Sequence, residues 1–78
     1  MGITNESVLI KMCQLNGYNL AKHKTKDNWY CISDYDDKYY TIYIEKNGNI
    51  ITQDKDIQVI LNKKFQEAGE ECWKEYMG

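Results

Sequence analysis

The residues of this 78-residue chain with chemistry to offer are three cysteines, one histidine and twelve carboxylates. A cysteine or hydroxyl nucleophile needs a base within hydrogen-bond reach. His23 is the only imidazole, and no Cys or Ser stands from it at a spacing that a nucleophile motif uses. It reads as a surface histidine on a strand. A structural metal site needs paired ligands such as C-x-x-C, whereas Cys13, Cys31 and Cys72 are isolated from one another. The stretch "DYDDKYYTIYIE" sets Asp34, Asp36 and Glu45 at positions one, three and twelve of a calcium loop. Lys38 then falls at position five and Tyr39 at position six, where that loop requires glycine, so the match fails. Nor is there a glycine-rich phosphate loop. The chain reads as non-catalytic, with no cofactor and no metal.

What is left is charge and aromatic surface. Asp34, Asp36 and Asp37 crowd one turn beside Tyr35, Tyr39, Tyr43 and Glu45, while Glu67, Glu70, Glu71 and Glu75 crowd the end of the chain. Carboxylates on a small rigid domain imitate a phosphate backbone and draw the same Lys and Arg contacts. Tyrosines beside them add contact area at low entropic cost. Asp34, Tyr35, Asp36, Asp37, Tyr39, Tyr43, Glu45, Glu67, Glu70 and Glu71 are therefore the candidate partner-binding residues. The same residues also read as a solvated turn and a solvated helix face.

Positive charge points less clearly. All ten basic residues are Lys, and Arg is the side chain suited to bidentate grip on phosphate or a base edge. Residues 1–33 carry four Lys against two acids, and residues 34–78 carry six Lys against ten acids. The second half is the acidic half, fitted to repel nucleic acid or attract a basic protein groove. Lys22, Lys24 and Lys26, with Trp29 and Tyr30 close by, make an alternative basic and aromatic patch for nucleic acid.

The elements that must position these groups follow from periodicity. Thr4 caps a helix over residues 5–16, with Val8, Leu9, Met12, Cys13 and Leu15 on its apolar stripe. Ile3 and Val8 are spaced as a hydrophobic staple, and Gly17 stops the helix. The period then changes to two. Residues 18–23 and "WYCIS" form a hairpin across the loop "KTKDN", and "DYDDK" turns into "YYTIYIE". In that strand Tyr40, Ile42 and Ile44 face the helices, leaving Tyr39 and Tyr43 on the open face. Asn47-Gly48 predicts a type I′ turn, returning as a short strand over residues 50–53. Asp54 or Asp56 begins a last helix with Ile57, Ile60, Leu61, Phe65 and Ala68 on one face, running on past Gly69 through Cys72 and Tyr76. The expected fold is α+β: an N-terminal helix, an antiparallel meander of three to four strands and a C-terminal helix, the helices on one face of the sheet.

At 78 residues this is a single domain, 1–78, burying roughly 60% of its unfolded surface. No apolar run reaches the roughly 18 residues that cross a bilayer, and the first residues lack a basic region followed by a hydrophobic block. The odd cysteine count fits a reducing compartment, with each thiol a small buried hydrophobe. These features read as cytoplasmic. A myristoylation signal fails at Glu6, and Asn5-Glu6-Ser7 acts as a glycosylation acceptor only in secreted chains.

The order helix, strands, helix is shared with double-stranded-RNA-binding domains, but Asp54 and Asp56 stand where that family wants positive charge. In overall plan the chain resembles the small anti-CRISPR inhibitors carried by phages and prophages. The likeness lies in a short leading helix ("NESVLIKMCQLNG"), a meander holding "DYDDKYYTIYIEKNG" and an acidic, aromatic last helix ("QVILNKKFQEAGEECWKEYMG"). That resemblance implies a non-catalytic protein that binds a CRISPR effector and blocks target-DNA engagement, its acids substituting for phosphates. Two other classes stay open: a nucleic-acid-binding module, and a structural protein that dimerises through an edge strand or through Trp73, Tyr76 and Met77.

Overall fold

Thr4 opens the first helix as its sequence position requires. In the computed structural model, which describes residues 2–78, helix α1 spans Asn5–Asn16. Met1, the first residue of the expected domain, lies outside the described residues. The Ser7 N–H donates to Thr4 Oγ1 at 3.1 Å, and the Thr4 N–H donates back to Ser7 Oγ at 3.0 Å. This reciprocal pair satisfies two donors at the helix start. Ile3 and Val8 both join the core beneath it. At the other end Gly17 takes φ 70°, a left-handed conformation that glycine adopts without steric cost.

Strands β1 (Asn19–Lys22), β2 (Trp29–Ser33), β3 (Tyr39–Ile44) and β4 (Ile50–Ile51) form one antiparallel sheet in the order β1-β2-β3-β4. Helix α2 spans Lys55–Met77 without a break at Gly69, and Asp54 caps it by accepting from the Asp56 and Ile57 N–H groups. The fold is the expected α+β arrangement. Val8, Leu9, Met12 and Cys13 of α1 and Leu61, Phe65 and Ala68 of α2 meet Tyr30, Ile32, Ile42, Ile44 and Ile50 of the sheet in one core. Both helices therefore cover the same face. They also pack on each other, with Val8 against Gly69 and Lys11 paired with Glu75.

Several expected details are corrected. The β3–β4 turn is not type I′. Only Gly48 has positive φ (88°), Asn47 does not, and the Gly48 N–H closes onto the Glu45 carbonyl at 2.8 Å. A three-residue loop of Lys46, Asn47 and Gly48 results, the left-handed glycine following the turn instead of lying inside it. Asn5 pins this loop to α1 by donating its Nδ2 to the carbonyls of Glu45 and Lys46.

The last strand stops at Ile51, two residues short of the expected Gln53. Side-chain amides of α2 take over there. Asn62 accepts from the Ile50 N–H at 2.8 Å and donates to the Ile50 carbonyl at 2.9 Å, and Gln58 Oε1 accepts from the Thr52 N–H at 3.0 Å. The helix thus closes an edge that further ladder would otherwise occupy.

Leu15 and Ile60 are exposed, 54% and 46%, and do not belong to the buried stripes. Each lies roughly 100° round its helix from the centre of the residues that are buried, beyond the arc a single neighbouring layer covers. Of the three cysteines only Cys13 is buried; Cys31 and Cys72 are half-exposed, and all three are free thiols. His23 follows β1 in a loop, where its Nδ1 accepts from the Thr25 and Lys26 N–H groups. It is a turn-forming side chain beside the strand, not a residue of it.

Candidate functional site

The acidic turn is built by Asp34. Its Oδ1 accepts from the Asp36 N–H at 2.9 Å and the Lys38 N–H at 3.1 Å, and the Asp34 N–H pairs with the Lys38 carbonyl at 3.1 Å. Aspartate suits this place because its short carboxylate reaches backbone two residues on. Asp37 takes φ 59°, the left-handed conformation that Asp tolerates better than most residues. Asp34 is thereby half-buried and committed to the backbone.

The residues that the turn presents are the others. Tyr35 is 82% exposed and Tyr39 70% exposed, and between them Asp36 and Asp37 point to solvent, with no ion pair among the described residues. Tyr35 lies over the Gly17 cap of α1.

The remaining acids are spread out. Glu67 and Glu70 are exposed on α2, Glu71 is half-buried and reaches Lys74 at 3.5 Å, and Glu75 pairs with Lys11. Glu45 accepts from the Asn49 side chain at 3.2 Å. The sequence-predicted acidic set thus divides into a turn with two free carboxylates and a helix with two.

The basic and aromatic patch is divided more sharply. Tyr30 is buried on the helix side, where its hydroxyl donates to Glu6 Oε1 at 3.0 Å; Lys22 also lies there, 3.4 Å from the same oxygen. The Tyr30 hydrogen bond and then Lys22 hold the Glu6 carboxyl below its ordinary value, while burial and the Glu6 hydrogen bond push the Tyr30 phenol up. Lys24 and Lys26 lie in the exposed loop after β1, with Lys26 Nζ 5.9 Å from the Trp29 ring centre.

Sequence reasoning placed Tyr39 and Tyr43 on the helix-free face but missed how that face is composed. Register aligns Trp29, Tyr43 and Ile51 in one row across the sheet, Ala21, Cys31 and Thr41 in the next, and Asn19, Ser33 and Tyr39 in the third. None of these nine residues is charged. Trp29 and Tyr43 lie against each other, ring centroids 5.2 Å apart. A shallow groove of about 730 Å³ lies between them and Tyr39, with Tyr40, Thr41, Ile51 and the segment Thr52–Lys55 completing its lining. The signal was available in the alternation of β2 and β3, where the outward residues are Trp, Cys, Ser, Tyr, Thr and Tyr instead of Lys and Glu.

Comparison with protein-family models, curated proteins and solved structures gives no match to this chain. Among the described residues no three His, Cys, Asp or Glu side chains gather as a metal site requires, and no helix is long and apolar enough to cross a membrane.

Proposed function

We propose that this chain is a small non-catalytic protein-binding inhibitor acting in the cytoplasm. Its partner is a protein whose basic groove normally holds nucleic acid, of the kind a CRISPR effector nuclease presents. The observation that carries this reading is the β2–β3 turn, where two unpaired carboxylates stand between two exposed tyrosines on a backbone fixed by Asp34.

A fixed turn loses little conformational freedom on docking, so its carboxylates meet Lys and Arg without first being ordered. Charge-assisted hydrogen bonds to those cations supply directionality, and the tyrosine rings supply contact area. The acidic second half of the chain steers approach to a positive surface.

Competition with nucleic acid tests this. The protein and target DNA should exclude each other from the effector, and affinity should fall as salt rises. Equal binding to an effector already loaded with DNA would contradict the reading.

A further inference from the structure

We propose that His23 is a pH-sensitive latch on the loop between β1 and β2, closed by its neutral ring and released when the ring is protonated. This goes beyond the inhibitor reading and stands or falls apart from it.

The loop needs a hold of its own. Residues 23–28 make a longer connection than the two-residue turns that suit a hairpin best, and Asn28 takes φ 68°, a left-handed conformation. The backbone ties the loop across its base, where the His23 N–H donates to the Trp29 carbonyl at 2.9 Å. Above that base, the hydrogen bonds within the loop among the described residues all end on one atom. His23 Nδ1 accepts from the Lys26 N–H at 3.1 Å and the Thr25 N–H at 3.2 Å, with the Thr25 hydroxyl 3.5 Å away.

Nδ1 accepts only while the ring is neutral with its proton on Nε2; a protonated imidazole carries a hydrogen on both nitrogens. Donor then faces donor. The ring and its loop are exposed, so water takes over the freed N–H groups and the loop opens. In the β2–β3 turn the same task falls to the Asp34 carboxylate, so a backbone acceptor does not in itself call for imidazole. Imidazole is the side chain whose ordinary protonation falls between about pH 5 and 8.

Charge adds to the release. The hairpin carries Lys22, Lys24 and Lys26 against Asp27, so a cationic ring adds like charge to the loop. Around it, Glu6 of α1 is taken by Tyr30 and Lys22, Glu45 after β3 is taken by Asn49, and Asp54 and Lys55 line the groove beside Trp29. No ion pair among the described residues includes His23.

What the latch moves is Lys26. Its N–H is one of the two held by Nδ1, and its Nζ lies 5.9 Å from the Trp29 ring centre, at the outer reach of a cation–π contact. Release withdraws that ammonium from the wall of the groove that Trp29 forms.

NMR relaxation of the backbone amides of the full chain, followed from about pH 8 to about pH 5, tests this. The order parameters of Thr25 and Lys26 should fall from roughly 0.85 to below roughly 0.6, with the midpoint of the His23 ring resonances. Nuclear Overhauser contacts between the Lys26 side chain and the Trp29 ring should be lost with the same midpoint. His23→Asn keeps a side-chain acceptor at every pH, so its loop should stay ordered throughout; His23→Ala removes the acceptor and should leave the loop loose throughout. Order parameters that stay constant while the ring titrates would overturn the inference. So would a His23→Asn loop that loosens in acid as the wild type does, or a His23→Ala loop as ordered as the neutral wild type.

Discussion

Tyr35 rests on Gly17: a Cβ added to that glycine would stand 2.1 Å from the Tyr35 hydroxyl oxygen. The end of α1 and the acidic turn between β2 and β3 therefore share one contact, made where the helix backbone is left-handed. Gly17→Ala should lower stability by about 1 kcal/mol through the strain of a side chain at positive φ. It should also push Tyr35 aside. Thermal melting reads the first effect, and the Tyr35 ring resonances read the second.

Asp34 and its neighbours Asp36 and Asp37 should behave differently. Asp34→Ala removes the acceptor of two backbone N–H groups and should cost roughly 1–2 kcal/mol. Asp36→Asn and Asp37→Asn should change stability by no more than about 0.5 kcal/mol. Equal melting temperatures for all three variants would show that Asp34 does not hold the turn.

Asn62 is a larger test of the fold. Ile50 is fully buried, and the Asn62 amide satisfies both its N–H and its carbonyl. Asn62→Ala leaves two buried backbone groups without partners and should cost about 2–4 kcal/mol. Hydrogen exchange at the Ile50 amide should quicken first.

Stability should fall on both sides of neutrality, for separate reasons. Burial pushes the Cys13 thiol from its ordinary 9.0 up to about 11. Between those values the unfolded chain has lost a proton that the folded chain keeps, so stability declines as pH rises through that range. The Glu6 carboxyl, held low by Tyr30 and then Lys22, acts in the opposite direction. Its contribution is present above the ordinary carboxylate value and is lost as pH falls through its lowered one. Cys13→Val should flatten the alkaline limb of a melting-temperature profile, and Tyr30→Phe the acid limb.

Much of this architecture was legible because local signals agreed with the global fold. Thr4 and Gly17 bound α1, Asp54 caps α2, and the period-two alternation of Tyr40, Ile42 and Ile44 identified the buried side of β3. The misses arose where distant residues decide. Asn62 and Gln58 end β4 from twelve and six residues away, and Lys46 instead of Asn47 opens the turn before Gly48. At the site, "DYDDK" announced a turn, but nothing in those letters distinguishes the aspartate that builds it from the two that it displays. The division of Lys22 and Tyr30 from Lys26 likewise follows from the sides of β1 and β2, with Glu6 on α1 pairing the first two and Trp29 lying under the third.

The central claim is that the free carboxylates of the turn make the contact. Titration calorimetry against CRISPR effector nucleases, with wild type and with Asp36→Lys/Asp37→Lys, tests it directly. The account predicts at least a hundredfold weaker binding for the double variant, or about 2.7 kcal/mol at 1.36 kcal/mol per tenfold step, with the fold and melting temperature unchanged. Undiminished affinity in a folded double variant would contradict it.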